Sequence, residues 1–220
     1  MDLIVHHYGN TGPRVIVLHG GPGAAGSGAP IAKGLSDTCR VIEPWQRTHS
    51  EEGLTVARHV ADLDDLITSD CQNENPIIAG ESWGAMLALA YAATHPDKIQ
   101  SLILIGCGTF DKVSRAKMNQ IISDRLGNEG LKKMEQIKRE YPHPNDHLPR
   151  QYELIHPLYN YEAVIETSDS PDRFDVKAHQ ETWDDMLKCQ EEGLYPQRFA
   201  SIKCPVLMIH GDYDPHPGKS

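Results

Sequence analysis

Five short apolar runs recur along the 220 residues: V-I-V-L at 15–18, V-I at 41–42, I-I-A at 77–79, L-I-L-I at 102–105 and V-L-M-I at 206–209. Each is continuous rather than alternating, the pattern of strands covered on both faces in a parallel sheet. Residues 3–7 read as an additional leading strand. Helical patterns lie between the runs. Val56, Val60, Leu63 and Ile67 repeat at spacings of four, three and four, a core-facing stripe with Arg58, Asp62 and Asp65 around it. Residues 85–94 are rich in Ala, Leu and Met and stop before Pro96, as helices usually do. Strand and helix in alternation imply right-handed crossovers and a doubly wound sheet.

The texture changes at Gly108. Polar, helical-looking segments follow at 112–126, 131–140, 151–155 and 175–192, punctuated by Pro142, Pro144, Pro149, Pro157 and Pro171. Residues 202–211 then return to strand. The reading is one α/β core, 1–107 with 198–220, interrupted by a helical insertion at 108–197 that forms a lid over one end of the sheet.

A formal charge of −10 excludes a broad nucleic-acid or anionic-membrane surface. Five cysteines without a C-x-x-C give neither a disulfide framework nor a zinc ribbon, and a reducing cytoplasm fits them best. The N-terminus has no signal-peptide pattern, and no apolar stretch reaches the roughly 20 residues of a membrane span.

The chemistry centres on G-E-S-W-G at 80–84, set between a strand and a helix. In that context the central residue, Ser82, takes a strained backbone conformation that lifts its hydroxyl above the sheet. The alternative is an ordinary turn in which Ser82 is only a helix cap. H-G-G-P-G at 19–23 follows the strand at 15–18 and leaves amide groups bare at its carboxyl end, where α/β sheets place ligands. The expected oxyanion donors are the N–H groups of Gly21 and Trp83; Pro22 has none to give. His19 reads as a structural residue holding the loop. The loop lacks both the G-x-G-x-x-G order and the lysine of phosphate-binding loops. On the loop after the last apolar run, H-G-D-Y-D at 210–214, Asp214 is the expected acid, with Asp212 as fallback.

With these three motifs the sequence resembles the α/β-hydrolases. Trp83 after the serine, the H-G-G-P-G loop and P-W-Q-R at 44–47 resemble the proline iminopeptidase branch in particular. The resemblance implies the α/β-hydrolase fold, a doubly wound, mostly parallel sheet with a helical lid. It implies hydrolysis of small ester, amide or peptide substrates through a serine, with no cofactor. Peptidases of the branch carry W-D-Q-R-G-x-G-x-S where this chain reads E-P-W-Q-R-T-H-S-E, so a broader ester or amide hydrolase is the safer expectation. The family places its histidine base beyond one further strand and helix, whereas this sequence stops at Ser220. The expectation is therefore a fold lacking its last strand and helix, with turnover crippled or absent. A non-catalytic ligand-binding protein on the same fold is the alternative.

The sequence leaves other candidates open. His216 reads as too close to Asp214 along the chain to bridge acid and serine, and His210 as a buttress of the turn. His143, His147, His156 and His179 belong to the insertion. Tyr159, Tyr161, Trp183 and Met186 line a pocket with Trp83 or simply pack. Arg47 and Trp45 reach substrate, or Arg47 forms a structural ion pair. Glu81 binds a substrate amine or is solvated.

Overall fold

A computed structural model describes residues 3–72, 74–162 and 173–218. In chain order the elements are β1 (Ile4–Tyr8), β2 (Arg14–Leu18), β3 (Ala24–Ala25), α1 (Ala29–Leu35), β4 (Arg40–Trp45), α2 (Val56–Asp70), β5 (Ile77–Glu81), α3 (Trp83–Thr94) and β6 (Ser101–Ile105). There follow α4 (Lys112–Glu140), α5 (Pro144–Ile155), β7 (Arg173–Phe174), α6 (Val176–Glu191), α7 (Leu194–Gln197) and β8 (Val206–Ile209). The main sheet has the order β1-β4-β2-β5-β6-β8. The leading strand expected from the sequence is β1, and it runs antiparallel to β4; the other four pairings are parallel. β3 and β7 form a separate antiparallel pair.

The five apolar runs are the parallel strands, in register through Ile16, Ile78, Leu102 and Val206. α3 is buried nearly all round because its small Ala side chains let it lie close against β5 and β6. Its Trp83, Met86, Leu87 and Tyr91 anchor the core with Ile16, Ile78 and Leu104. The α2 stripe is buried as its spacing requires, and Thr55 caps the helix by accepting from the Arg58 N–H at 3.0 Å. Asp62, expected among the polar surroundings of that stripe, is buried, because Arg47 and Arg58 both bond its carboxylate.

The helical segment differs from expectation in its joints. The two helices expected at 112–126 and 131–140 are present as the two limbs of α4, parted at Gly127, whose φ of 61° and ψ of −179° are not helical; the second limb starts earlier than expected, directly after that kink. α5 begins at Pro144 rather than at residue 151. Pro144 suits the first turn, which needs no N–H from it, and Pro149 lies inside the helix. Pro171, read from the sequence as punctuation, lies outside the described residues.

α6 is fastened to the core by side chains at regular spacing. Glu181 accepts from the Leu54 N–H (3.1 Å), Asp185 from the Val56 N–H (2.8 Å), and Thr182 meets His59 Nε2 (3.0 Å). At the other end Gln190 donates to the Thr109 carbonyl at 2.7 Å. No described helix is long and apolar enough to cross a membrane.

Among the described residues β8 pairs only with β6, and all four of its side chains are exposed, from 43% at Met208 to 55% at Leu207. An apolar strand with unpaired backbone groups is a template for association. Leu207→Lys is expected to keep the protein monodisperse at several-fold higher concentration in sedimentation velocity, with stability changed by less than about 1 kcal/mol. Unchanged self-association would mean that this edge is not the adhesive surface.

Candidate active site

Ser82 joins β5 to α3 with φ 50° and ψ −112°, a region that side-chain-bearing residues rarely occupy. Two close approaches force this corner. A Cβ on Gly80 would stand 2.3 Å from the Gly84 carbonyl oxygen, and a Cβ on Gly84 would stand 2.2 Å from the Leu18 oxygen and 2.7 Å from the His19 oxygen. Only glycine fits at either place, so the spacing of the motif follows from packing. The Ser82 N–H donates to the Ile105 carbonyl at 2.9 Å, which ties the corner to the end of β6. The hydroxyl makes no cap to α3. Trp83 is the first residue of α3, where helix geometry leaves its main-chain N–H without an intrahelical acceptor.

Across from this corner lies the loop after β2. His19 is fully buried, and its Nδ1 donates to the Gly20 carbonyl at 3.0 Å while Nε2 accepts the Gln46 main-chain N–H at 3.0 Å. Burial pushes the imidazole down to about pKa 4, so the ring is neutral. The Gln46 side chain donates to the His19 carbonyl at 3.2 Å and accepts the Trp83 indole N–H at 2.7 Å. Gly21 follows with φ +42°. A side chain on Gly20 would begin 3.6 Å from Ser82 Cβ and 3.5 Å from Glu81 Oε2, so the serine and that carboxylate both border the glycine loop. Burial raises the Glu81 pKa above its ordinary value.

Asp214 sits on the turn after β8, its N–H bonded to the Gly211 carbonyl at 3.0 Å. One carboxylate oxygen accepts both the His216 main-chain N–H (2.9 Å) and the His216 imidazole Nδ1–H (2.8 Å). His210 Nε2 stands 3.6 Å from the other oxygen and 2.7 Å from the His216 carbonyl. Burial pushes the carboxyl up, but the His216 bonds outweigh it and hold its pKa below the usual range. Asp214 Oδ2 lies 3.1 Å from where a Gly106 Cβ would stand, and the Gly106 N–H donates to the Ile209 carbonyl at 3.0 Å. Ser82 and Asp214 therefore flank the same end of β6. Asp212 is exposed on the turn.

Of the remaining candidates, Arg47 is engaged with Asp62 through two 2.8 Å bonds, which is the ion-pair alternative. Trp45 lies against the His6 ring at 5.0 Å. Met186 is core, Trp183 stacks beneath the Arg115 guanidinium, and the Tyr159 ring is 5.5 Å from that of His216. Tyr161 is exposed beside Tyr213. His179 bonds the Pro22 carbonyl at 3.1 Å, so this α6 histidine touches the glycine loop itself. His143 caps α5, and His147 meets the Tyr141 carbonyl. Among the described residues no group of three or more His, Cys, Asp or Glu side chains is placed to hold a metal ion. The role of Gln46 was not read from the sequence, although P-W-Q-R marked its position; its partners are distant in the chain.

Residues 13–216 match the alpha/beta hydrolase fold family, and the chain belongs to it. It is 35% identical over 108 residues to a proline iminopeptidase of Neisseria meningitidis, covering 43% of this chain and 33% of that protein. It is 29% identical over 117 residues to a cis-3-alkyl-4-alkyloxetan-2-one decarboxylase of Shewanella oneidensis, covering 47% of this chain and 36% of that one. The chain thus spans about a third of the length of the curated relatives it matches. Among solved structures it is similar to a putative epoxide hydrolase from Klebsiella pneumoniae, with TM-score 0.62, 20% identity, and coverage of 100% of this chain and 81% of that one. A thermophilic esterase from Thermogutta terrifontis gives TM-score 0.59 at 19% identity, covering 97% of this chain and 76% of that one. Both likenesses are of fold.

Two outcomes follow from this geometry. Gly84→Ala is expected to destabilise the protein by roughly 3 kcal/mol or more in urea unfolding, since backbone must move to admit the methyl group. The buried His19 and His59 rings, both depressed to about pKa 4 chiefly by burial, bind protons in the unfolded chain first. Stability should be insensitive to them above pH 7, fall from about pH 6.5, and level off for these groups near pH 4. The loss there is about 3 kcal/mol per histidine. Urea midpoints from pH 7.5 to 4.5 measure it, and His59→Gln should flatten the curve.

Proposed function

We propose that the chain is a serine hydrolase of small ester or amide substrates, peptides included, acting through an acyl-enzyme on Ser82. The observation that carries this reading is the strained Ser82 corner, held by glycine contacts opposite an amide-bearing loop. Ser82 attacks the substrate carbonyl carbon, and the Gly21 and Trp83 N–H groups receive the oxyanion. In the complete machinery Asp214 orients an imidazole that takes the serine proton and passes it to the departing alcohol or amine, leaving the acyl group on Ser82. Water then attacks the acyl group and releases the acid. The peptidase and esterase names among the relatives and structural neighbours fit attack on an acyl carbon.

Residues 108–197 serve as the lid and 1–107 with 198–220 as the core. From the lid, Tyr159 comes to the acid side beside His216, while Trp183, under Arg115, stacks on the His179 ring that meets the glycine loop. Full turnover needs an imidazole touching both Ser82 and Asp214. His216 and His210 face the acid, and neither is bonded to Ser82 among the described residues. Loss of the base in such a triad costs on the order of a millionfold in kcat. The carboxylate's engagement with its own loop favours, as a second reading, a protein that binds acyl ligands without turning them over.

A fluorophosphonate probe is expected to label Ser82, slowly, and to leave Ser82→Ala unlabelled in mass spectrometry of the intact protein. A folded protein that stays unlabelled after prolonged exposure, or labelling that survives Ser82→Ala, overturns the serine reading. Saturable binding of an ester without release of its alcohol selects the second reading.

A further inference from the structure

Each of the two oxyanion amides depends on a neighbour that does not face the substrate. The Gly21 N–H belongs to the peptide whose carbonyl is that of Gly20, and in a planar trans peptide the N–H points opposite to the C=O. The His19 Nδ1–H bond at 3.0 Å fixes that carbonyl, and so aims the Gly21 N–H. In the neutral ring Nδ1 donates only in the tautomer whose Nε2 accepts, and the Gln46 main-chain N–H holds the ring in that tautomer. The Trp83 N–H, on the other side, moves with the first residue of α3, whose indole is held by Gln46 Oε1 at 2.7 Å. The Gln46 amide nitrogen meanwhile binds the His19 carbonyl at 3.2 Å, the same oxygen against which Gly84 packs.

We propose that Gln46 is a positioning residue that sets the separation and direction of the Gly21 and Trp83 amides, acting through His19 on one and through the Trp83 indole on the other. The proposal rests on the serine-hydrolase reading, in which those amides receive the oxyanion. Three observations support it. Gln46 is buried, at 8% exposure. Its main-chain N–H, its amide nitrogen and its amide oxygen each bond a member of this one bridge. The bridged segments lie 27 and 37 positions away in the chain, so no local turn fixes their spacing. A donor displaced by a fraction of an ångström loses most of its effect on a developing oxyanion, whereas ground-state binding elsewhere in the cleft is untouched.

The test compares the parent chain with Gln46→Leu and Gln46→Glu. Phenylboronic acid is one probe. Its boron takes the Ser82 oxygen, the proton passes to solvent, and the resulting anionic tetrahedral adduct places an oxygen between the amides. Benzyl alcohol, which cannot form the adduct, reports ground-state binding, and the Trp83 indole N–H resonance reports the bridge directly. Gln46→Leu should shift that resonance and weaken the boronate at least tenfold while changing the alcohol less than twofold. Gln46→Glu, which keeps the acceptor and loses the donor, should restore the indole shift and recover part of the boronate affinity. A boronate affinity unchanged in a folded Gln46→Leu overturns the proposal, as does an equal loss for both ligands, which would mark a merely structural role. Should Gln46→Leu fail to fold, Gln46→Glu decides alone: affinity for the boronate equal to the parent's counts against the bridge. A parent chain that binds no boronate at Ser82 sinks the serine reading first, and this proposal with it.

Discussion

The contact on which the rest depends is the approach of the first turn of α3 to the end of β2. Gly84 stands so close to the Leu18 and His19 carbonyls that no side chain fits, and Gly80 is pressed as closely against Gly84. Backbone held this tightly cannot relax the residue between. Ser82 is left with a positive φ, and the strain is offset by burial of Trp83, Met86 and Leu87 in the centre of the core. The site is thus a by-product of how a small-residue helix is seated on a parallel sheet.

Much of the fold was legible because continuous apolar runs have few other uses in a chain of this composition. The parallel strands lie where 15–18, 41–42, 77–79, 102–105 and 206–209 placed them. The α2 stripe was legible for the same reason, since its period encodes a buried face. Local signals failed where tertiary contacts decided the outcome. Asp62 reads as a surface carboxylate until Arg47 arrives from another segment. Pro144 and Pro149 read as breaks, yet both lie in α5. The glycine corner at 80–84 was legible because sterics at short range write it. The Gln46 bridge was not, because nothing in a sequence reports which distant carbonyl a glutamine meets. His216 reads as too near Asp214 along the chain to bridge acid and serine; it bonds Asp214 through both its main-chain N–H and its ring, a short-range contact that the reading did not include.

The two sides of the cleft are built on different footings. The serine side rests on the centre of the sheet, with β2, β5 and β6 around it and a buried polar bridge behind. The start of α6 also reaches this side: Asp175 donates its N–H to the Gly23 carbonyl and His179 meets the Pro22 carbonyl, so the glycine loop is clasped by that helix. Displacing α6 would release these contacts together with the Thr182–His59 pair. Segment and loop are in this sense one mechanical unit.

The carboxylate side hangs from β8, which has one neighbour among the described residues; its shape comes from bonds within its own turn, His216 to Asp214 and His210 to the His216 carbonyl, and from Arg125 of α4, which donates to the Tyr213 carbonyl. A peripheral strand opens at a lower free energy than a central one. Warming should therefore dismantle the cleft in sequence, the acid loop fraying while the corner that carries the hydroxyl is still intact, with amide exchange at residues 206–216 running ahead of that at 77–86.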